Sequence, residues 1–241
     1  MLGSEARERI IVAIDCGRGE ALELADSLAG HARWLKVGMT LYYAEGPAIV
    51  SAFKERGFKV FLDLKFHDIP HQVRGAAKSA ALAGADLLTA HGLGSGAMLA
   101  ACREGAEEAA KVRGDRPNLL AITVLTSMDA EALASIGVID PVAVEAERLA
   151  RLAAANGIDG VVCSPQEAAD MRALLGPDAL VVTPGVRPAG AALGDQSRVA
   201  SPAQAIERGA SHIVVGRPIT GAEDPVAAYE AIVSELEGVE P

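Results

Sequence analysis

Two acids and a lysine lie inside an apolar run in the decapeptide Phe61-Leu-Asp-Leu-Lys-Phe-His-Asp-Ile-Pro70. Val60, Phe61, Leu62 and Leu64 predict a buried strand over Val60–Leu64. Side chains two apart on a strand share one face, roughly 6–7 Å apart along the chain. Asp63 and Lys65 therefore point the same way. Burying two charges costs several kcal/mol each unless they are paired and hydrogen-bonded. Asp68 follows three residues on, and Ile69-Pro70 opens a helix, because proline suits a first turn. Such a set could hold a fixed ammonium against developing negative charge. A lone Asp-x-Lys also reads as a structural ion pair, so the surroundings must decide.

Short apolar runs alternate with amphipathic stretches from end to end. The strand candidates are Ile10–Ile14, Trp34–Val37, Val60–Leu64, Leu87–Ala90, Leu119–Val124, Gly160–Val162, Leu180–Thr183 and His212–Val215. Between them the helix candidates are Glu20–Ala29, Ala44–Arg56, Ile69–Ala83, Ser95–Val112, Val142–Ala155, Pro165–Leu175, Pro202–Arg208 and Pro225–Leu236. Ser164-Pro165, Ser201-Pro202 and Asp224-Pro225 each pair a capping residue with proline at a first helical position. Gly84, Gly176 and Gly209 suit helix stops. Eight strands alternating with eight helices, without a linker, predict one α/β domain over residues 1–241: a closed (β/α)8 TIM barrel. A doubly wound open sheet is disfavoured, because no Gly-x-Gly-x-x-Gly turn follows the first strand.

Barrel chemistry sits at the C-terminal ends of the strands. Those ends carry Asp15, Lys36, the Asp63/Lys65/Asp68 set, His91, Thr123 and Thr126, and Cys163-Ser164. Pro184-Gly185-Val186-Arg187 and Gly216-Arg217 follow the last two strands. Taken singly, Asp15 could cap a helix, Lys36 could snorkel, and His91 reads best as a core histidine. Co-location on one face favours chemistry. Barrels frequently bind phosphate between the loops after strands 7 and 8. Glycines there admit a ligand close to the backbone, and the arginine fork of Arg187 and Arg217 matches phosphate oxygens. The long irregular stretch from Arg187 to about Arg198 suits a functional loop such as a lid. The residues thus predict a small phosphorylated substrate and an Asp–Lys network.

Composition narrows the partners. A net charge of −10 disfavours a nucleic-acid polymer. No run approaches the ~20 apolar residues of a membrane span. Cys16, Cys102 and Cys163 are odd in number, far apart and without metal-ligand spacing, which predicts reduced thiols and a cytoplasmic setting. Aromatic residues make up only 3% of the chain, which leaves little for stacking bases.

These motifs together resemble the orotidine 5′-phosphate decarboxylase family over nearly the whole length. They are Asp15 after strand 1, Lys36, Asp63-Leu-Lys-Phe-His-Asp-Ile-Pro70, Val124–Ser127, Thr183-Pro-Gly-Val-Arg187, Gly194-Asp-Gln196 and Val215-Gly-Arg-Pro-Ile-Thr220. The resemblance implies decarboxylation of orotidine 5′-monophosphate to UMP, without metal or organic cofactor. It implies Lys65 as proton donor, flanked by Asp63 and Asp68, with Lys36 completing an alternating charge array. It implies a homodimer in which Asp68 and Ile69 cross to the partner's site. Asp15 would bind ribose and Thr126 the pyrimidine edge. Arg187, Gln196, Gly216 and Arg217 would grip phosphate, with Pro184 also in the substrate site. Many relatives carry threonine where this chain has Gln72, so that contact is open. The nearest alternative is a related barrel enzyme that handles a keto-sugar phosphate with Mg²⁺; Ile69-Pro70 and Thr126-Ser127 favour the nucleotide enzyme. A barrel that binds nucleotide without catalysis is the remaining alternative.

Overall fold

The computed structural model describes residues 1–188 and 200–239. Its strands are β1 (Ile10–Ile14), β2 (Trp34–Gly38), β3 (Lys59–Phe66), β4 (Leu87–His91), β5 (Asn118–Ile122), β6 (Gly160–Val162), β7 (Leu180–Thr183) and β8 (His212–Val215). All pair in parallel, in sequence order, and β8 closes back on β1. The predicted (β/α)8 barrel is the observed fold.

Strand alternation divides the apolar residues into two cores. Ile11, Ala13, Trp34, Phe61, Leu87, Leu120, Val182 and Val214 pack inside the barrel. Their outward neighbours, such as Val12, Leu35, Leu62 and Val215, pack against the helices. Two-sided burial explains why these strands read as unbroken apolar runs. It also assigns the polar residues. Lys36 and Asp63 share the inward register of Trp34 and Phe61, one pleat nearer the C-terminal mouth.

Among the described residues the helices are α1 (Gly3–Arg9), α2 (Arg18–Leu28), α3 (Met39–Glu45), α4 (Ala48–Glu55), α5 (Pro70–Leu82), α6 (Gly96–Arg113), α7 (Ala130–Ser135), α8 (Val142–Ala155), α9 (Ala168–Leu175), α10 (Pro202–Glu207), α11 (Arg217–Thr220) and α12 (Pro225–Glu237). Ser201 and Asp224 cap α10 and α12 by accepting the backbone N–H of Gln204 and Ala227. Two expectations need correction. The helix predicted over Ala44–Arg56 is two helices, broken where Gly46 takes φ +64° and Pro47 restarts the chain. The helix predicted from Pro165 begins at Ala168, because Ser164 to Glu167 form a turn in which Glu167 accepts the Ser164 N–H. No helix among the described residues is long and apolar enough to cross a membrane.

One irregularity shapes the site. Strand β3 pairs with β4 as Phe61↔Leu87 and Leu62↔Leu88, then resumes only at Phe66↔Ala90. Three residues of β3 therefore face the single residue Thr89. A bulge re-aims side chains at the rim of a barrel. Lys65 sits in it at φ +52°, a left-handed conformation uncommon for a side-chain-bearing residue.

Candidate active site

The C-terminal mouth of the barrel encloses a cavity of about 440 Å³. Its floor is the upper layer of the interior core, including Ala13, Phe61, Ile122, Val162 and Val214. Its rim holds Asp15, Lys36, Asp63, Lys65, Thr126, Pro184, Gly185, Arg187, Gly216 and Arg217. An apolar pocket of this size with a few convergent polar groups suits a small-molecule ligand.

On one side the charges form a line. Lys36 Nζ donates to Asp15 Oδ1 at 3.0 Å and stands 3.9 Å from Asp63 Oδ2. Lys65 Nζ donates to Asp63 Oδ2 at 2.8 Å. Opposite charges therefore alternate as Asp15, Lys36, Asp63, Lys65. Lys36 and Asp63 are the enclosed members, with side chains 11% and 14% exposed. Pairing offsets the cost of taking such charges out of water. A Cβ at Gly38 would lie 3.0 Å from Asp15 Oδ1 and 3.3 Å from Lys36 Nζ, so glycine there leaves the line uncrowded.

The loops after β7 and β8 complete the rim, with β8 lying next to β1 and the Asp15 that follows it. Arg187 is tethered by its N–H to Ala200 O and by its guanidinium to Val186 O. Gly216 leads into α11, which begins at Arg217. Two arginines, Gly185 and Gly216 thus share the cavity lining with the acid–lysine line.

Three sequence candidates lie elsewhere. Asp68 is exposed and accepts the N–H of Ile69 at 2.6 Å. Ile69 is 63% exposed, and Gln72 is exposed in the first turn of α5. None of the three lines the cavity of its own chain. Gln196 and the Gly194–Gln196 motif lie outside the described residues.

The sequence reading missed Gly38 and Thr89. Thr89 is fully buried, donates to Asp63 Oδ1 at 2.9 Å and accepts the Lys65 backbone N–H at 2.9 Å. Its signal was its place two residues before His91, on the same inward face. His91 itself stacks on His67, with centroids 5.2 Å apart and planes 21° apart. Its Nδ1 accepts the Leu93 N–H. Burial lowers its pKa to about 4, assisted by the charges of His67 and Lys65. His91 is therefore a neutral imidazole at neutral pH, not an imidazolium, and its one ring proton sits on Nε2.

The three thiols are free. Burial raises Cys16, which lines a separate neighbouring pocket beside Asp15, to about 11, so it is a thiol rather than a thiolate. Among the described residues no three His, Cys, Asp or Glu side chains stand together as a metal-ligand set.

Known proteins match this chain over nearly its whole length. The family model described as "Orotidine 5′-phosphate decarboxylase / HUMPS family" matches residues 8–232. A protein named orotidine 5′-phosphate decarboxylase from Alkalilimnicola ehrlichii is 51% identical over 232 residues, covering 96% of this chain and 97% of that protein. One of the same name from Moorella thermoacetica is 49% identical, covering 99% and 96%. The crystal structure of orotidine 5′-phosphate decarboxylase from Lactobacillus acidophilus superposes with a TM-score of 0.86 at 39% identity, over 95% of this chain and 99% of that one. With the family model spanning residues 8–232 and relatives about half identical over nearly the full length, the chain belongs to the orotidine 5′-phosphate decarboxylase / HUMPS family.

Proposed function

We propose that this chain, acting as one catalytic domain, decarboxylates orotidine 5′-monophosphate to UMP and CO₂, the last step of UMP synthesis. The observation that carries the reading is the Lys65 ammonium, held 2.8 Å from Asp63 over an apolar floor in a cavity that Arg187 and Arg217 also line. A phosphate at the arginines and a pyrimidine over the floor bring the reacting carbon to the lysine. Names and near-full-length identity of the relatives support the same substrate.

The chemistry follows from charge. The C6–carboxylate bond breaks heterolytically, CO₂ leaves, and the electron pair stays on C6. The pyrimidine delocalises that pair poorly. A fixed ammonium at ~4 Å is worth roughly 4 kcal/mol at an effective dielectric near 20. It is worth more where it needs no reorganisation during reaction. Lys65 then gives one proton to C6 and is reprotonated from water. Asp63 holds the ammonium, and Lys36, gripped by Asp15, holds Asp63. Both Asp63 oxygens already accept hydrogen bonds, from Lys65 and Thr89, which favours a charge network over a Mg²⁺ site.

Asp15 and Thr126 are assigned to ribose and the pyrimidine edge. Arg187, Gly216 and Arg217 are assigned to phosphate, beside Pro184. Asp68 and Ile69 are assigned to the partner subunit's site in a homodimer. Their support is exposure: a carboxylate and an isoleucine stand bare beside the mouth without entering their own cavity. Gln72, one turn along the same helix, is placed to reach the same site.

The test is the fall in ultraviolet absorbance when the purified protein meets orotidine 5′-monophosphate in excess EDTA. Turnover is expected to be unchanged by the chelator. Absence of turnover overturns the reading, and turnover lost to EDTA and restored by Mg²⁺ overturns the metal-free mechanism.

A further inference from the structure

Thr89 occupies the point where strands β3 and β4 lose their register. Between Leu62↔Leu88 and Phe66↔Ala90, β3 carries two more residues than β4. The extra length lifts Lys65 out of the regular ladder and into a left-handed conformation. Its backbone N–H needs another acceptor, since a buried amide without one is costly. The Thr89 hydroxyl supplies it at 2.9 Å.

That bond settles the direction of the next. With one lone pair of Oγ1 taken by the Lys65 N–H, the hydroxyl proton is directed to Asp63 Oδ1, 2.9 Å away. The carboxylate's other oxygen accepts the Lys65 ammonium at 2.8 Å. The result is a closed ring: Lys65 backbone to Thr89, Thr89 to Asp63, Asp63 to the Lys65 side chain. The ring ties the two ends of one lysine together through a residue of the neighbouring strand. Thr89 is completely buried, so water cannot substitute for it.

We propose that Thr89 is a positioning residue for the decarboxylation: its hydroxyl fixes the plane of the Asp63 carboxylate and, through it, the place of the Lys65 ammonium. The inference rests on the decarboxylase reading above. Thr89 touches no part of the cavity and acts only through Asp63 and Lys65. A geometry error of 1 Å at a charged group can cost on the order of 100-fold in rate. The hydroxyl guards against that error, whereas ground-state binding of the nucleotide is governed elsewhere on the rim.

The test compares Thr89→Val, which keeps the shape and removes the hydroxyl, with Thr89→Ser, which keeps the hydroxyl. Each is assayed with orotidine 5′-monophosphate, titrated with UMP and melted. Thr89→Val is expected to lower kcat by about 100-fold, with UMP affinity within about threefold of wild type. Thr89→Ser is expected to stay within about threefold in kcat. If the valine protein does not fold, Thr89→Cys, with its weak S–H donor, takes its place under the same criterion. A merely structural threonine lowers Tm in the valine protein and leaves kcat intact, and that outcome overturns the proposal. So does a serine protein as slow as the valine one. Crystal structures of wild type and variant separate this failure from failure of the enzymatic reading. A wild type without turnover ends that reading. The Lys65–Asp63 distance in the valine protein still reports on Thr89, and is expected to exceed hydrogen-bonding range.

Discussion

The Lys65 ammonium lies 2.8 Å from Asp63 Oδ2, although the two residues are only two apart on one strand. In a regular strand such side chains stand side by side and roughly 6–7 Å apart at their bases. The bulge opposite Thr89 and the φ of +52° at Lys65 turn this parallel pair into a convergent one. The convergence fixes the cation at the cavity wall. It also leaves Asp63 within 3.9 Å of the second cation, Lys36.

Removing the cation should remove the chemistry. Lys65→Ala is expected to lower kcat by at least about 10³-fold, because both charge stabilisation and the proton source are lost. UMP should still bind, since Arg187 and Arg217 are untouched. Turnover within tenfold of wild type in a direct absorbance assay would remove Lys65 from the mechanism.

Crowding the array from beneath should misplace it without unfolding the barrel. Gly38→Ala introduces a Cβ 3.0 Å from Asp15 Oδ1 and 3.3 Å from Lys36 Nζ. The Gly38 backbone, at φ −87°, accepts alanine without strain. We expect kcat/KM to fall by about tenfold and Tm to stay within about 2 °C. An unaltered kcat/KM would show that the Lys36–Asp15 contact is dispensable.

The phosphate assignment turns on Arg217. Arg217→Ala is expected to reduce kcat/KM by about 100-fold or more, as the loss of a charge-assisted bidentate contact predicts. The Lys65–Asp63 pair should be unchanged in the variant's structure. Inorganic phosphate should inhibit the wild type more strongly than the variant. Equal inhibition of both would place the phosphate elsewhere.

A site shared across the proposed homodimer can be tested by subunit mixing. Lys65→Ala and Asp68→Ala proteins should each be nearly inactive alone. Mixed in equal amounts and allowed to exchange subunits, half of the dimers are hybrids. Each hybrid has one site with both residues intact. Activity should therefore recover to about a quarter of wild type. No recovery after demonstrated exchange would return Asp68 to its own chain's site.

Acid should loosen the floor of the barrel through His212. Its ring lies edge-on to Trp34, 5.9 Å between centroids, with Nδ1 3.1 Å from Ser211 Oγ. Burial lowers its pKa to about 4, reinforced by Arg9 and Lys59 and opposed by Glu8. An unfolded histidine titrates near 6.5. Between those values the unfolded state binds more protons, so stability is fully present above about pH 6.5 and is lost as pH falls towards 4. The loss is bounded at about 3 kcal/mol, less whatever the ring's partial exposure screens. Chemical denaturation of wild type and His212→Gln at pH 6.5 and pH 4 should show a shallower decline in the variant. Equal declines would exonerate His212.

The sequence alone determined the barrel and most of its mouth. The alternation of apolar runs with capped helices set the order of eight strands. The strand-end rule then drew Asp15, Lys36, Asp63, Lys65, Arg187 and Arg217 to one cavity. These features were legible because period-two burial and helix caps are local properties of the chain. Tertiary structure alone decided the rest. Thr89 gains its meaning only because β4 lies opposite a bulge in β3, and Gly38 only because β1 and β3 bring Asp15 and Asp63 to either side of β2. The exposure of Asp68, Ile69 and Gln72 likewise appears only once the barrel has closed and left them outside its own cavity. Contacts between strands depend on register, and register is a property of paired backbones that no single segment contains.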